Sequence, residues 1–424
     1  MGPREISGVV LVDVPVPSVR GTCNRTGEPV EGSVLVVESL VPGMYEALVA
    51  SSAVICAKGG KTGHMQSLCR LRGIPVMRVD AAELDDLVGE VTVRLDRQSV
   101  VLGGAVPRAR AAESPVTVPA DLGSICAVIA ATSDVRSVNA LDQRVEGLDT
   151  FFIREEFLCL TAGLSPLDSL RAGPERAERY GAALGAELCA IAGQLLPGQR
   201  LVMRLLDLRS DDAAHITRDV GVDREPNPEL GLHGARWLLD EEHYPRAFRA
   251  LRAHVREHLG AAAGQVDFAV PFINDQDEYL LLRQRLDLPE DLPLAVFVET
   301  PAAVHAAGAF CAAGASELFV GTKDLTQFYL AADRGNHLVA SSYRMRHPAV
   351  LAALRHVVDA GRAARTPVHV FALAVDLDHY VRRLPADGFM MCAAELRQLA
   401  RRSAPPTAHR PLDTGPQSVI GAWN

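Results

Sequence analysis

The chain has 424 residues, 48% hydrophobic and 22% charged, with a formal net charge of -9. That composition is ordinary for a globular protein of two or three domains, and the net charge excludes a general affinity for nucleic acid or an anionic membrane while leaving room for a local basic pocket. No apolar run reaches the ~20 residues that cross a bilayer, and the opening Met1-Gly2-Pro3-Arg4-Glu5 has no signal-peptide apolar core.

Short β-branched runs come first: Val9–Val12, Ser33–Val37, Ala53–Cys56, Ile74–Val79, Val91–Leu95 and Ser99–Leu102, closed by Gly103-Gly104. Helical patterns lie between them at Pro42–Ser51 and Met65–Arg72, so residues 1–105 read as a compact α/β domain. Residues 106–122 carry three prolines and few large apolar groups and read as a linker. A flexible segment of that length spans on the order of 20–25 Å. It serves either as a passive tether or as the hinge of a swinging domain.

From residue 123 to 404, short apolar strands alternate with helical stretches such as Pro174–Leu195 and Pro301–Ala313. The strand candidates are Ile125–Ala130, Thr150–Ile153, Leu201–Leu205, Val266–Val270, Leu294–Val298, Glu317–Val320, Val368–Phe371 and Gly388–Met391. Eight βα units in this span give a (β/α)8 barrel. Residues 405–424 are polar and Pro-containing and read as a loosely held tail. The eight cysteines form no C-x-x-C pair, which fits free thiols in a reducing cytoplasm.

A barrel carries its active site at the C-terminal ends of its strands. Arg154 follows strand two, and Arg204 and Asp207 end strand three. Glu299 ends strand five, Lys323 and Asp324 follow strand six, and Arg334 is placed on the helix after it. Arginine forks bind phosphate or carboxylate oxygens. Glu299 and Asp324, with no thiolate beside them, suit Mg2+. A second centre is Lys58-Gly59-Gly60-Lys61-Thr62-Gly63-His64, a Gly turn opening the helix that begins at Met65. A phosphate on His64 would sit near a helix N-terminus, where free N–H groups favour an anion. The plainer reading of His64 is a polar helix cap.

Taken together, these segments resemble the phosphoenolpyruvate-utilising enzymes, which include phosphoenolpyruvate synthase, pyruvate phosphate dikinase and enzyme I of the sugar phosphotransferase system. Gly59-Gly60-Lys61-Thr62-Gly63-His64 followed by Gly73-Ile74-Pro75 is similar to the family's phosphohistidine signature, with Gly63 where a hydroxyl residue is usual. Arg154-Glu155-Glu156-Phe157, Arg204-Leu205-Leu206-Asp207, the run from Asn227 to Arg236, Val298-Glu299-Thr300-Pro301 and Gly321-Thr322-Lys323-Asp324-Leu325-Thr326-Gln327 resemble its barrel motifs in order. The resemblance implies a small swivelling β/β/α phosphohistidine domain followed by a TIM barrel. It makes His64 the phosphoryl carrier and Glu299 and Asp324 the Mg2+ ligands. Arg154, Arg204 and Arg334 would hold phosphate and carboxylate oxygens, with His233, Arg236 and Lys323 as further substrate contacts.

Three departures alter that expectation. His233 stands where the motif has its first Arg, Lys323 where it has Asn, and Phe371 where the family places a Cys that protonates the enolate of pyruvate. Cys392, at the end of strand eight, reads as a core thiol. The implied activity is a phosphotransferase relaying through phospho-His64 to or from a small phosphorylated or keto-acid metabolite, not standard phosphoenolpyruvate–pyruvate turnover. The alternatives are a regulatory homologue without catalysis and a metal-dependent barrel lyase. The implied partner is a separate ATP-grasp subunit or a phosphocarrier protein, since no ATP-grasp domain precedes residue 1. The expected assembly is a homodimer, and the expected location is the cytoplasm.

Overall fold

A computed structural model describes residues 4–14, 16–59, 64–103, 122–140, 147–217, 221–223, 225–334, 336–339 and 341–396, apart from the side chains of Pro42, His64, His215, Ile216 and His337. The turn at 60–63, nearly all of the expected linker and the expected tail lie outside the described residues.

The first eight strands are β1 (Arg4–Ser7), β2 (Val9–Val12), β3 (Ser18–Asn24), β4 (Val34–Val37), β5 (Ala53–Cys56), β6 (Val76–Arg78), β7 (Glu90–Arg94) and β8 (Ser99–Leu102). They form one sheet in the order β1-β8-β7-β3-β4-β5-β6-β2. Helices α1 (Tyr45–Ala50) and α2 (His64–Arg72) cross between the parallel strands β4, β5 and β6. β4 and β5 are buried along their whole length, as mid-sheet apolar runs under helices require. The sequence pattern omits β1 and β3. β3 is a half-exposed, polar segment that is held by pairing with β7 on one side and β4 on the other. β1 is an edge strand with one buried side chain, Ile6.

The other eight strands are β9 (Ser124–Ile129), β10 (Leu148–Arg154), β11 (Arg200–Arg204), β12 (Val266–Val270), β13 (Leu294–Val298), β14 (Leu318–Val320), β15 (Val368–Phe371) and β16 (Gly388–Cys392). They close into a parallel barrel, β16 pairing back onto β9. Its helices are α3 (Thr132–Asn139), α4 (Glu155–Ala162), α5 (Pro166–Arg171), α6 (Pro174–Ala192), α7 (Ser210–Ile216), α8 (Ala235–Asp240), α9 (Tyr244–Leu259), α10 (Gln276–Arg285), α11 (Pro301–Ala312), α12 (Thr322–Leu330), α13 (Pro348–Ala364) and α14 (Leu377–Val381). Among the described residues no helix is long and apolar enough to cross a membrane.

Strand side chains alternate faces, and this sorts the barrel residues into two sets. Ile125, Phe151, Met203 and Val296 pack outward against the helices. Cys126, Phe152, Val202, Phe297, Phe319 and Met390 fill the interior. Phe152, Phe297 and Phe319 form an aromatic layer, with ring centroids 5.1–6.4 Å apart. Below it the floor is polar. Arg200 Nη2 lies 2.6 Å from Glu317 Oε2, and His369 Nδ1 lies 2.5 Å from Glu317 Oε1. His369 Nε2 is 2.8 Å from Ser124 Oγ. Gly388 must be glycine here, because a Cβ would stand 2.3 Å from the Ser124 carbonyl and 2.6 Å from the His369 ring.

Helix α2 lies against the C-terminal mouth of the barrel. Met65 and Leu68 belong to the same apolar cluster as Phe157, Phe371 and Cys392, and Lys323 Nζ of α12 donates to Ser67 Oγ of α2 at 3.1 Å.

Burial pushes the Glu317 carboxyl up, but His369 and Arg200 outweigh it and hold the group below its ordinary range. Removing the carboxylate leaves the buried His369 without its anion and Arg200 with only Asp267. Glu317→Ala is expected to destabilise the barrel by about 3–5 kcal/mol, measured as a lowered denaturant midpoint. Glu317→Gln, which keeps the shape, is expected to fall between it and the wild type.

Candidate active site

The interior positions one step above the aromatic layer make the rim. Arg204, the last residue of β11, points inward and is 1% exposed. Its guanidinium lies 5.4 Å over the Phe297 ring. Nη1 donates to Glu299 Oε1 at 3.0 Å, and Nη2 lies 2.6 Å from Glu156 Oε1 and 3.1 Å from Asp207 Oδ2. Burial opposes the charge of Arg204, yet the three carboxylates keep it fixed.

Glu299 follows β13 directly. Its second oxygen accepts from the Phe272 amide at 3.0 Å. Gly321 is required beside it, since a Cβ there would meet Glu299 Cγ at 2.7 Å. Burial, reinforced by Asp324 and Asp207 against the pull of Arg204 and Arg154, pushes the Glu299 carboxyl up to about 8. Asp324 sits in the first turn of α12 and pairs with Arg334 Nη1 at 2.9 Å. The sequence pattern puts Arg334 on that helix, but α12 ends at Leu330, where Ala331 turns left-handed (φ 48°). Arg334 therefore lies in the following loop, its amide donating to Gln327 Oε1 at 2.9 Å. It also approaches Glu229 at 3.6 Å. Despite the cost of its burial, Glu229 is held down at about 2 by Arg334 and Arg209.

Arg154 ends β10, with its guanidinium carbon 5.5 Å from the Phe157 ring centre. Among the described residues it has no carboxylate within 4.0 Å. Burial, and then the neighbouring Arg204, lower its pKa. Glu156, Glu299 and Asp324 offset part of that from beyond ion-pair distance, so Arg154 is a buried cation with no direct carboxylate partner among the described residues.

The two remaining motif residues behave differently. His233 Nδ1 lies 2.6 Å from Asp207 Oδ1, and Nε2 lies 3.2 Å from the Glu229 carbonyl. Both nitrogens face acceptors, an arrangement that favours the doubly protonated ring. Burial lowers its pKa, but Asp207 and the carbonyl raise it more. Arg236, on α8, donates to the carbonyls of Leu230 and Gly231 at 3.3 and 3.2 Å. It pins the loop and is not among the residues lining the rim cavity.

That cavity is lined by Arg154, Arg204, Asp207, Arg209, Glu229, His233, Phe272, Glu299, Asp324 and Arg334. Its open space is about 10 Å³, near the requirement of one water. Four arginines face four carboxylates, so the rim neutralises itself in this arrangement. Glu156, Arg209 and Glu229 complete the network and were not singled out from the sequence. Glu156 and Glu229 lie inside quoted motifs, but nothing in the pattern marks them as ion-pair partners.

Lys323 is buried beside Phe371, its Nζ 4.5 Å from the ring centre. Burial is the main cause that lowers it, to about 7. Cys392 is likewise buried, and burial pushes its thiol up to about 12, which suits a core thiol. Of His64 only the backbone is described, at the first position of α2.

Among the described residues no three His, Cys, Asp or Glu side chains cluster as a metal cage. Mg2+ is commonly held by one or two carboxylates, with substrate and water oxygens completing the shell. Glu299 and Asp324 fit that pattern.

The chain matches the PEP-utilising enzyme, PEP-binding domain over residues 114–372 and the PEP-utilising enzyme, mobile domain over residues 29–99. The chain belongs to the PEP-utilising enzyme family. It is 27% identical to a probable phosphoenolpyruvate synthase of Archaeoglobus fulgidus over 84% of this chain and 47% of that protein. It is 31% identical to a multiphosphoryl transfer protein of Xanthomonas campestris pv. campestris over 72% of this chain and 37% of that protein. The chain therefore spans less than half the length of either relative. It also resembles the solved citrate lyase β subunit of M. tuberculosis at 12% identity and a TM-score of 0.35, covering 67% of this chain and 98% of that one.

The His233 geometry carries a pH dependence. A folded-state pKa above the unfolded value means a stabilising contribution that is complete below the unfolded pKa of about 6.5 and lost as pH rises through the folded value. The stability difference between wild type and His233→Gln is expected to be largest near pH 6 and to shrink at higher pH. Denaturant midpoints at several pH values measure it. A difference that grew with pH would contradict the doubly protonated ring.

Proposed function

We propose that this chain relays a phosphoryl group through His64 to or from a small phosphorylated or carboxylate metabolite held on the barrel rim. Arg154 is the observation that carries the reading: a cation without a carboxylate partner, beside Glu299 and Asp324. Such a group recruits an anion, and a fork matches phosphate or carboxylate oxygens. Glu299 and Asp324 would hold Mg2+, which supplies positive charge against phosphoryl oxygens.

Arg204 and Arg334 each exchange a carboxylate partner for an oxygen of the metabolite. Arg236 positions the 227–236 loop, and His233 holds Asp207 at the wall of the cavity. The docking of α2 against the rim supports a short path for the phosphoryl group. In transfer to His64, the phosphorus–oxygen bond of the donor breaks as the imidazole nitrogen bonds to phosphorus, and the donor oxygen keeps the electron pair. With phosphoenolpyruvate as donor, the leaving group is an enolate. Phe371, in place of the family's Cys, offers it no proton, so ordinary release of pyruvate is not the proposed turnover. The likeness to a multiphosphoryl transfer protein supports a phosphocarrier protein as donor, with a separate ATP-grasp subunit as the other candidate. A homologue that binds the metabolite without turnover is the second reading. It is favoured by the pairing of every rim carboxylate lining the cavity with an arginine or His233.

Mixing the protein with phosphoenolpyruvate and Mg2+, with and without candidate carriers, is expected to add one acid-labile phosphoryl group at His64, read by intact mass and phosphorus NMR. His64→Ala is expected to abolish it. Absence of label under every condition supports the second reading, and barrel activity that survives His64→Ala would sink the relay. Phe371→Cys is expected to raise pyruvate release from phosphoenolpyruvate by on the order of 100-fold, at the low end of what a placed general acid contributes. Rapid pyruvate release by the wild type would contradict the role given to Phe371.

A further inference from the structure

Lys323 precedes Asp324 in the first turn of α12 and is 5% exposed. Its backbone is fixed, because the Tyr343 hydroxyl donates to the Lys323 carbonyl at 2.8 Å. One residue earlier, Thr322 Oγ1 donates to the Phe371 carbonyl at 2.9 Å. Among the described residues no carboxylate lies within 4.0 Å of its ammonium. The groups that receive it are the Ser67 hydroxyl at 3.1 Å and the Phe371 ring face at 4.5 Å. A buried ammonium without an acceptor is costly, and here the hydrogen-bond acceptor comes from the other domain.

Ser67 lies on α2, three residues beyond His64. Positions three apart share a helix face. Holding Ser67 on Lys323 therefore fixes that face of α2 relative to Asp324, the adjacent residue in sequence.

We infer that Lys323 is a positioning residue, a latch that holds the His64-bearing helix on the barrel rim through Ser67. Its link to transfer rests on the phosphoryl-relay reading above, whereas the contact itself does not. Lys323 is thereby removed from the set of substrate contacts that the family resemblance suggests. Phe371 gains a second consequence, since its ring face replaces a thiol and seats the ammonium. The latch is suited to release: a hydroxyl and a ring hold the cation less firmly than a carboxylate would.

The test is hydrogen–deuterium exchange of the full chain, read in peptides covering 64–72. Ser67→Ala and Lys323→Met are each expected to speed exchange on the order of tenfold, the loss of one hydrogen bond to a charged group. The double variant is expected to exchange no faster than either single one. Ser67→Asp, which hands the ammonium a carboxylate, is expected to slow exchange in the wild-type background and not with Lys323→Met. Peptides of β10 to β13 report whether the barrel remains folded. Should Lys323→Met unfold it, Ser67→Ala against Ser67→Thr, which keeps the hydroxyl, decides alone. Wild-type exchange in both single variants, or an equal effect of Ser67→Asp in both backgrounds, overturns the latch. If His64 also takes a phosphoryl group, Ser67→Ala is expected to lower kcat for transfer and leave the KM of the metabolite unchanged. Failure to label His64 with the exchange coupling intact removes the relay and leaves the latch standing.

Discussion

Arg204 is the charge on which the rim is built. Placing a guanidinium inside a barrel is expensive unless carboxylates surround it with good geometry. Here three do so: Glu156 from the start of α4, Asp207 from the loop after β11 and Glu299 from the end of β13. Each comes from a different part of the chain, so the pairings also set how those segments meet. The aromatic layer beneath Arg204 keeps water from the site's lower side and gives the cation a ring face to rest on. Around this centre the second pair, Asp324 and Arg334, and the linked Glu229 and Arg209 extend the network.

A rim that neutralises itself has a functional consequence. An anionic metabolite gains nothing by meeting arginines that are already satisfied, unless it brings charge enough to exchange partners. In the proposed reading, a metal ion held by Glu299 and Asp324 would take one of Arg204's three carboxylate partners and leave Arg334 its contact with Glu229. Arg154, with no carboxylate within 4.0 Å among the described residues, would in that reading be the first contact of the anion. Binding of cation and anion would then be linked through these ion pairs.

The three departures from the family pattern follow one logic. His233 is turned to Asp207 and a carbonyl, Lys323 to Ser67, and Phe371 lies under Lys323. Positions that the resemblance marks as contacts with substrate are spent on contacts within the protein.

The sequence alone determined the two-domain order, the closed barrel and the strand ends that carry Arg154, Arg204, Glu299 and Asp324, because alternating apolar runs and the end-of-strand rule depend only on local pattern. It missed β3, whose polar residues form a strand only through pairing with β4 and β7, and it left Arg334 on a helix that stops at Leu330. The tertiary structure decided who partners whom. That His233 and Lys323 face the protein, that Arg154 stands without a carboxylate, and that Glu156 and Glu229 close the network are facts about distances between residues as much as 256 positions apart. Electrostatic interaction depends on separation in space and on burial, and neither is written in the order of the residues.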